Sequence, residues 1–121
     1  MPNLEEGLAA FEAGDYTNAF RLLKPVADQG DAEAQCIIAN IYHLGLGKTR
    51  SVSEAIKWYV RSAEQGYGVA SNNLAGIFMT GDDGVAVDQD EAKTWHCKAI
   101  EQGFLHTPLI PLLSSSEKQN G

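Results

Sequence analysis

The chain is 121 residues long, 44% apolar and 21% charged, the proportions of one folded domain large enough to bury a core. Its net charge of −7 argues against nucleic acid: affinity for phosphate backbones comes from clustered Lys and Arg, and only Lys48 with Arg50 and Lys57 with Arg61 make even small basic groups. Neither an apolar run of about eighteen residues nor a basic leader ahead of an apolar stretch is visible, so no membrane span or secretory signal is expected, and the protein is placed in the cytoplasm.

In chain order the elements come in pairs. Residues 3–30 read as a helix through Gly7, Leu8 and Phe11 that stops at Gly14, then a helix capped at Asp15 that carries Ala19, Leu22 and Ala27 toward Gly30. Residues 31–66 repeat the pattern. Ala34, Ile38, Ala39 and Tyr42 fall at i, i+4, i+5 and i+8, one helical face ending at Gly45, and Ser51 then caps a helix with Ala55, Trp58 and Ala63 on one stripe before Gly66. Residues 67–103 follow suit with Ala70, Leu74, Ala75, Phe78 and Gly81, then Asp88 as cap and Ala92, Trp95 and Ile100 before Gly103. Ser51 with Glu54 and Asp88 with Glu91 have the form of capping boxes. The closing glycines stand 36 and then 37 residues apart, and self-similarity at such a period marks an array whose units pack on their neighbours.

These residues resemble the Sel1-like repeats, relatives of the tetratricopeptide repeats, whose unit runs Ala, Leu-Gly, Tyr, Gly-x-Gly-Val, Asp, Lys-Ala, Trp, Ala, Gly. The third unit is similar through Ala70, Leu74, Ala75, Phe78, Gly81, Gly84-Val85, Asp88, Ala92, Trp95, Ala99 and Gly103, and the second through Ala34, Ile38, Ala39, Tyr42, Gly45, Gly47, Ala55, Trp58, Tyr59, Ala63 and Gly66. In the first, only Asp15 to Asn18 separate Gly14 from Ala19, a tight turn closer to a tetratricopeptide unit. The resemblance covers about residues 3 to 104. It implies an all-α fold, a right-handed α-α superhelix of about three antiparallel helix pairs, and no enzymatic chemistry.

The domain is expected over residues 1–113, with 104–113 as a short C-terminal cap: Pro108 and Pro111 prevent a full further helix, and Phe104, Leu105, Leu109, Ile110 and Leu112 are expected to cover the last apolar seam. Residues 114–121 are expected to be disordered. Cys36 and Cys97 fall in different units and are read as two buried thiols in a reducing compartment.

Catalytic patterns are scarce. His96 and Cys97 are adjacent and point about 100° apart on a helix, too far to share a proton simply. Gly45-Leu46-Gly47-Lys48-Thr49 has the look of the end of a phosphate-binding loop but lacks its first glycine and follows a helix rather than a strand, so it is read as a repeat loop. The acidic stretch Asp82, Asp83, Asp88, Asp90, Glu91 lacks the spacing of a calcium loop and is read as solvated charge plus a helix cap. No metal and no cofactor are expected.

If the relation to tetratricopeptide repeats carries over position by position, the resemblance implies a binding surface on the concave side, lined by Glu12, Cys36, Asn40, His43, Asn72, Asn73 and Met79. Peptide-clamping relatives hold a ligand backbone with an Asn from each of two successive units, which Asn40 and Asn73 match, but their carboxylate-holding lysines are missing here, with Cys36 at one such place. The function expected is a non-catalytic adaptor for a protein or peptide, as a monomer or weak dimer, with a basic or neutral partner favoured by charge. The alternative is a binder of small molecules or cell-wall fragments, β-lactams among them, using His43, Asn40 and Asn72 as a polar cluster.

Overall fold

The computed structural model describes residues 2–103; the expected cap at 104–113 and tail at 114–121 lie outside the described residues. Helices α1 (Pro2–Glu12), α2 (Tyr16–Asp28), α3 (Ala32–Leu44), α4 (Val52–Glu64), α5 (Gly68–Thr80) and α6 (Gln89–Glu101) follow one another, and each packs on the helix before it and the one after it. Among the described residues there is no strand, only an isolated bridge between Asp82 and Val85. The result is a solenoid of three helical hairpins.

Capping chemistry explains the boundaries. The side chains of Asp15, Ser51 and Asp88 accept from the backbone N–H of Asn18, Glu54 and Glu91, as an N-cap should. The reciprocal half of the expected capping boxes is absent. The N–H of Ser51 goes to the carbonyl of Tyr42 (2.9 Å) and that of Asp88 to the carbonyl of Phe78 (2.8 Å), so the preceding helix, not the glutamate, satisfies it. Glu91 instead accepts from Trp95 Nε1 (3.3 Å) and Glu54 pairs with Lys57. The first two units close in the same way: at Gly30, φ is +108°, its N–H returns to Ala27 O and the N–H of Asp31 to Val26 O, a Schellman turn open to a residue without a Cβ, and in the third unit the N–H of Gly103 likewise returns to Ile100 O.

Inside, the repeated alanines Ala19, Ala55 and Ala92 are fully buried, as are Ile38, Leu74, Ala39 and Ala75. Trp58 is buried, with Lys24 Nζ (5.4 Å) and Arg61 Cζ (4.5 Å) near its ring centroid, while Trp95 is half-buried with Lys98 Nζ 4.9 Å from its own. Ile100 departs from its expected place. Its counterparts Ala27 and Ala63 are sealed, each against the unit that follows, yet Ile100 is 44% exposed. Cys97 is likewise exposed rather than buried, so only Cys36 is an interior thiol; both are free.

The units are joined by polar side chains as well as by apolar packing. Gln35 Nε2 donates to Ala27 O (3.1 Å) across the first seam, and within the second unit Gln65 Nε2 holds Gln35 Oε1 (2.8 Å) and Ser62 Oγ donates to Ala32 O (2.7 Å). Across the second seam the residue equivalent to Gln35 is Ser71, too short to reach. There Gln102 Nε2 makes the bond to Ala63 O (3.1 Å) and Ser71 Oγ donates to Gln102 Oε1 (2.7 Å). One glutamine bond per seam is kept by exchanging which helix supplies it.

Two outcomes follow for stability. A Cβ on Gly7 would lie 2.4 Å from Leu23 Cδ2 and 2.5 Å from its Cγ, so Gly7→Val should cost about 2 kcal/mol by overpacking, read as a lowered denaturation midpoint. Gln35→Ala should cost about 1 kcal/mol by the same measurement, since it removes the side-chain bond to the buried carbonyl of Ala27.

Candidate functional site

The loops after α3 and α5 both lean back on the unit before them. Gly47 is held against α2, where a Cβ would come within 3.0 Å of Tyr16 Cβ, and Lys48 Nζ lies 4.3 Å from the Phe20 ring centroid. Those contacts account for the glycines and lysine of that loop without any phosphate. In the third unit the equivalent loop turns at Asp82–Val85, where the two residues exchange backbone hydrogen bonds of 2.9 and 2.8 Å, and this turn carries the Asp82 carboxylate back to the second unit.

There it meets His43 and Arg50. Asp82 Oδ2 is 3.1 Å from His43 Nε2, Oδ1 is bound by Arg50 Nη2, and Arg50 Nε donates to the carbonyl of His43 (2.7 Å). The Arg50 guanidinium, then the backbone N–H of Asp83, and also His43, hold the Asp82 carboxyl down to about 2, against an ordinary value of 3.8. On the other side of the imidazole, Nδ1 is 3.3 Å from the Tyr59 hydroxyl, which donates to Asn40 Oδ1 (2.6 Å); Asn73 Nδ2 reaches the same oxygen at 3.4 Å. Burial, with Cys36 nearby, raises the phenol of Tyr59 well above its usual range, and burial with Glu33 pushes Cys36 up to about 12, so both keep their protons at neutral pH.

These groups edge an open hollow of about 280 Å³ between α3 and α5, floored by Tyr59 and Ile77 and rimmed by Leu44, Thr80 and Asp82. Of the residues expected at the site, Asn40, His43 and Asn73 line it. Cys36 lies buried beside it, 4.0 Å from Asn73 Nδ2. Asn72 is buried and does not line it, and its Oδ1 has no hydrogen-bond partner among the described residues. Met79 packs on the seam of Ala75 and Ala92, and Glu12 is exposed at the end of α1; neither borders the hollow. Sequence reasoning missed Tyr59, Arg50 and Asp82 as members of the cluster. The available signal was that a short basic group and an acidic loop occur at the ends of successive first helices.

Among the described residues no group of three or more His, Cys, Asp or Glu side chains is placed to hold a metal ion, and no helix is long and apolar enough to cross a membrane. In two of its carboxamides, Asn40 Nδ2 and Asn73 Oδ1, the hollow offers a donor and an acceptor that no protein group uses among the described residues.

Comparison with known proteins agrees with this architecture. The Sel1 repeat model matches residues 4–31, 32–67 and 68–104. Chitin synthase regulatory factor 3 of Schizosaccharomyces pombe is 40% identical over 87 residues, which is 70% of this chain and 9% of that protein. A Sel1 repeat protein from Oxalobacter formigenes superposes with a TM-score of 0.74 at 33% identity, over 80% of this chain and 40% of the other. A protective antigen of uropathogenic Escherichia coli strains displaying an SLR fold superposes with a TM-score of 0.70 at 35% identity, over 73% of this chain and 19% of the other. The chain thus spans less than half the length of each of these relatives.

The Asp82 contacts give a pH signature. Its folded carboxyl titrates at about 2 against 3.8 ordinarily, so its contribution to stability is complete above about pH 4 and lost as pH falls through 2. The difference in thermal midpoint between the wild type and Asp82→Asn should be largest at neutral pH and close over that acid range. A gap independent of pH would mean the carboxylate charge contributes nothing.

Proposed function

The chain belongs to the Sel1 repeat family, and from that premise we propose that it is a non-catalytic adaptor that docks an extended segment of a partner protein in the hollow between α3 and α5. The carrying observation is the pair of carboxamides from successive units, Asn40 and Asn73, that face the hollow with an unused donor and an unused acceptor. A peptide group needs one of each. The exposed Leu44 and the Ile77 floor supply apolar contact for a side chain beside them.

Size supports a peptide over a small molecule. Clefts that enclose drug-sized ligands measure roughly 300–1,000 Å³, whereas this hollow is about 280 Å³ and open. The net charge of −7 favours a basic or neutral partner. The S. pombe relative is named for regulating an enzyme and not for a reaction of its own, which agrees with a role in binding. Two free thiols, one of them exposed, fit a cytoplasmic setting.

Selection of binders from a displayed random-peptide library, followed by fluorescence titration, tests the reading. Asn73→Ala removes the contacts with Asn40 and Cys36, at 3.4 Å and 4.0 Å, and a hydrogen bond to Tyr59, and should lower the thermal midpoint slightly while weakening the selected peptides about tenfold. Full affinity in both Asn73→Ala and His43→Ala would move the site elsewhere, and binding of cell-wall fragments without peptides would replace this reading with the small-ligand one.

A further inference from the structure

His43 sits where α3, α4 and the loop after α5 meet, and the hydrogen-bonding capacity of its neighbours limits how it can be protonated. Asp82 is a carboxylate and only accepts, so its contact with Nε2 at 3.1 Å needs a proton on Nε2. Tyr59 has a single hydroxyl proton. At 2.6 Å that proton goes to Asn40 Oδ1, which also accepts from Asn73 Nδ2 at 3.4 Å. The phenol oxygen can then meet Nδ1 at 3.3 Å only by accepting from it, which needs a proton on Nδ1 as well. Every contact is satisfied together when the ring carries both protons. With one proton fewer, Nδ1 and Asn40 Oδ1 compete for the one hydroxyl proton of Tyr59.

We propose that the protonation of His43 sets the direction of the Tyr59 hydroxyl and thereby whether that hydroxyl occupies Asn40 Oδ1 beside Asn73 Nδ2 or leaves it one lone pair to accept an N–H from a docked peptide. The charged ring leaves Tyr59 bound to Asn40 and the acceptor occupied. The neutral ring, with its proton kept on Nε2 by Asp82, turns the hydroxyl to Nδ1 and leaves Asn40 Oδ1 with Asn73 Nδ2 as its remaining donor. The groups facing the imidazole are Asp82 and, behind it, Arg50 from the two loops and Tyr59 from α4; the backbone N–H of Asp83 is spent on Asp82. Asp82 stays ionised and Tyr59 stays protonated near neutrality, which leaves the imidazole as the member of the cluster that can gain or lose a proton. As regulation of the adaptor surface, this rests on the reading of the hollow as the binding site. The proton coupling itself does not.

The two are separated by measuring both. Long-range proton–nitrogen NMR of the full chain across about pH 5 to 8 should show His43 with both nitrogens protonated at the acid end and a single Nε2–H form at the other. The Asn40 side-chain amide should shift with the same midpoint. Tyr59→Phe and, independently, His43→Gln should abolish that shift. An Asn40 amide that ignores the His43 titration, or a neutral ring protonated on Nδ1, overturns the proposal. With a peptide selected as above, affinity should rise about threefold to tenfold with pH, the worth of one hydrogen bond, and stay flat in Tyr59→Phe. If the NMR coupling holds and no peptide binds, the adaptor reading fails while the proton switch stands. If peptides bind with no pH dependence in the wild type, control of binding by the switch is wrong while the adaptor reading stands.

Discussion

The structure depends on one recurring requirement: the end of each second helix must be covered by the unit that follows it. At Ala27 and Ala63 the buried carbonyl, already accepting from the closing glycine, takes a further bond from a glutamine of a later helix. Such bonds are directional and the alanines around them leave no slack, so each seam has one register. Apolar packing alone would hold the hairpins together with less preference for how they slide. Ile100 is exposed at the position where Ala27 and Ala63 are sealed by the following unit.

The hollow is a by-product of that stacking. A helix pair alone has no pocket here, since Asn40 and His43 come from one unit and Asn73, Gly76 and Asp82 from the next. Stacking brings the two carboxamides together at the seam, and the turn at Asp82–Val85 adds a carboxylate that ties the loop to Arg50 and His43. The cost of placing ionised groups at a partly buried edge is offset because each is paired and hydrogen-bonded. Residues above the hollow keep unused hydrogen-bonding capacity, whereas Tyr59 beneath it has none to spare. That contrast separates the groups left open in the hollow from those that position them.

Much of this was legible beforehand for a plain reason. Helix ends are decided locally, so Asp15, Ser51, Asp88 and the three closing glycines announced their roles from neighbouring residues alone. The glutamate half of the capping boxes was misread because a carbonyl from the preceding helix, nine or ten residues back in the chain, takes the N–H first. Cys97 was read as buried on residue type, but its face of α6 is open. At the site, Asn40, His43 and Asn73 were found through the repeat register, while Met79 and Glu12 shared that register and lie off the hollow.

By itself the sequence determined the hairpins, their lengths, their caps and the faces they bury, since each follows from spacing and from conformational preferences of single residues. Tertiary structure alone decided that Asp82 would lie against His43 across 39 positions of chain, that Gln102 would do for the second seam what Gln35 does for the first, and that Tyr59 would link the imidazole to a carboxamide. Those pairings depend on the distance between units after stacking. That distance is set by the sum of many buried contacts, and no short stretch of residues encodes it.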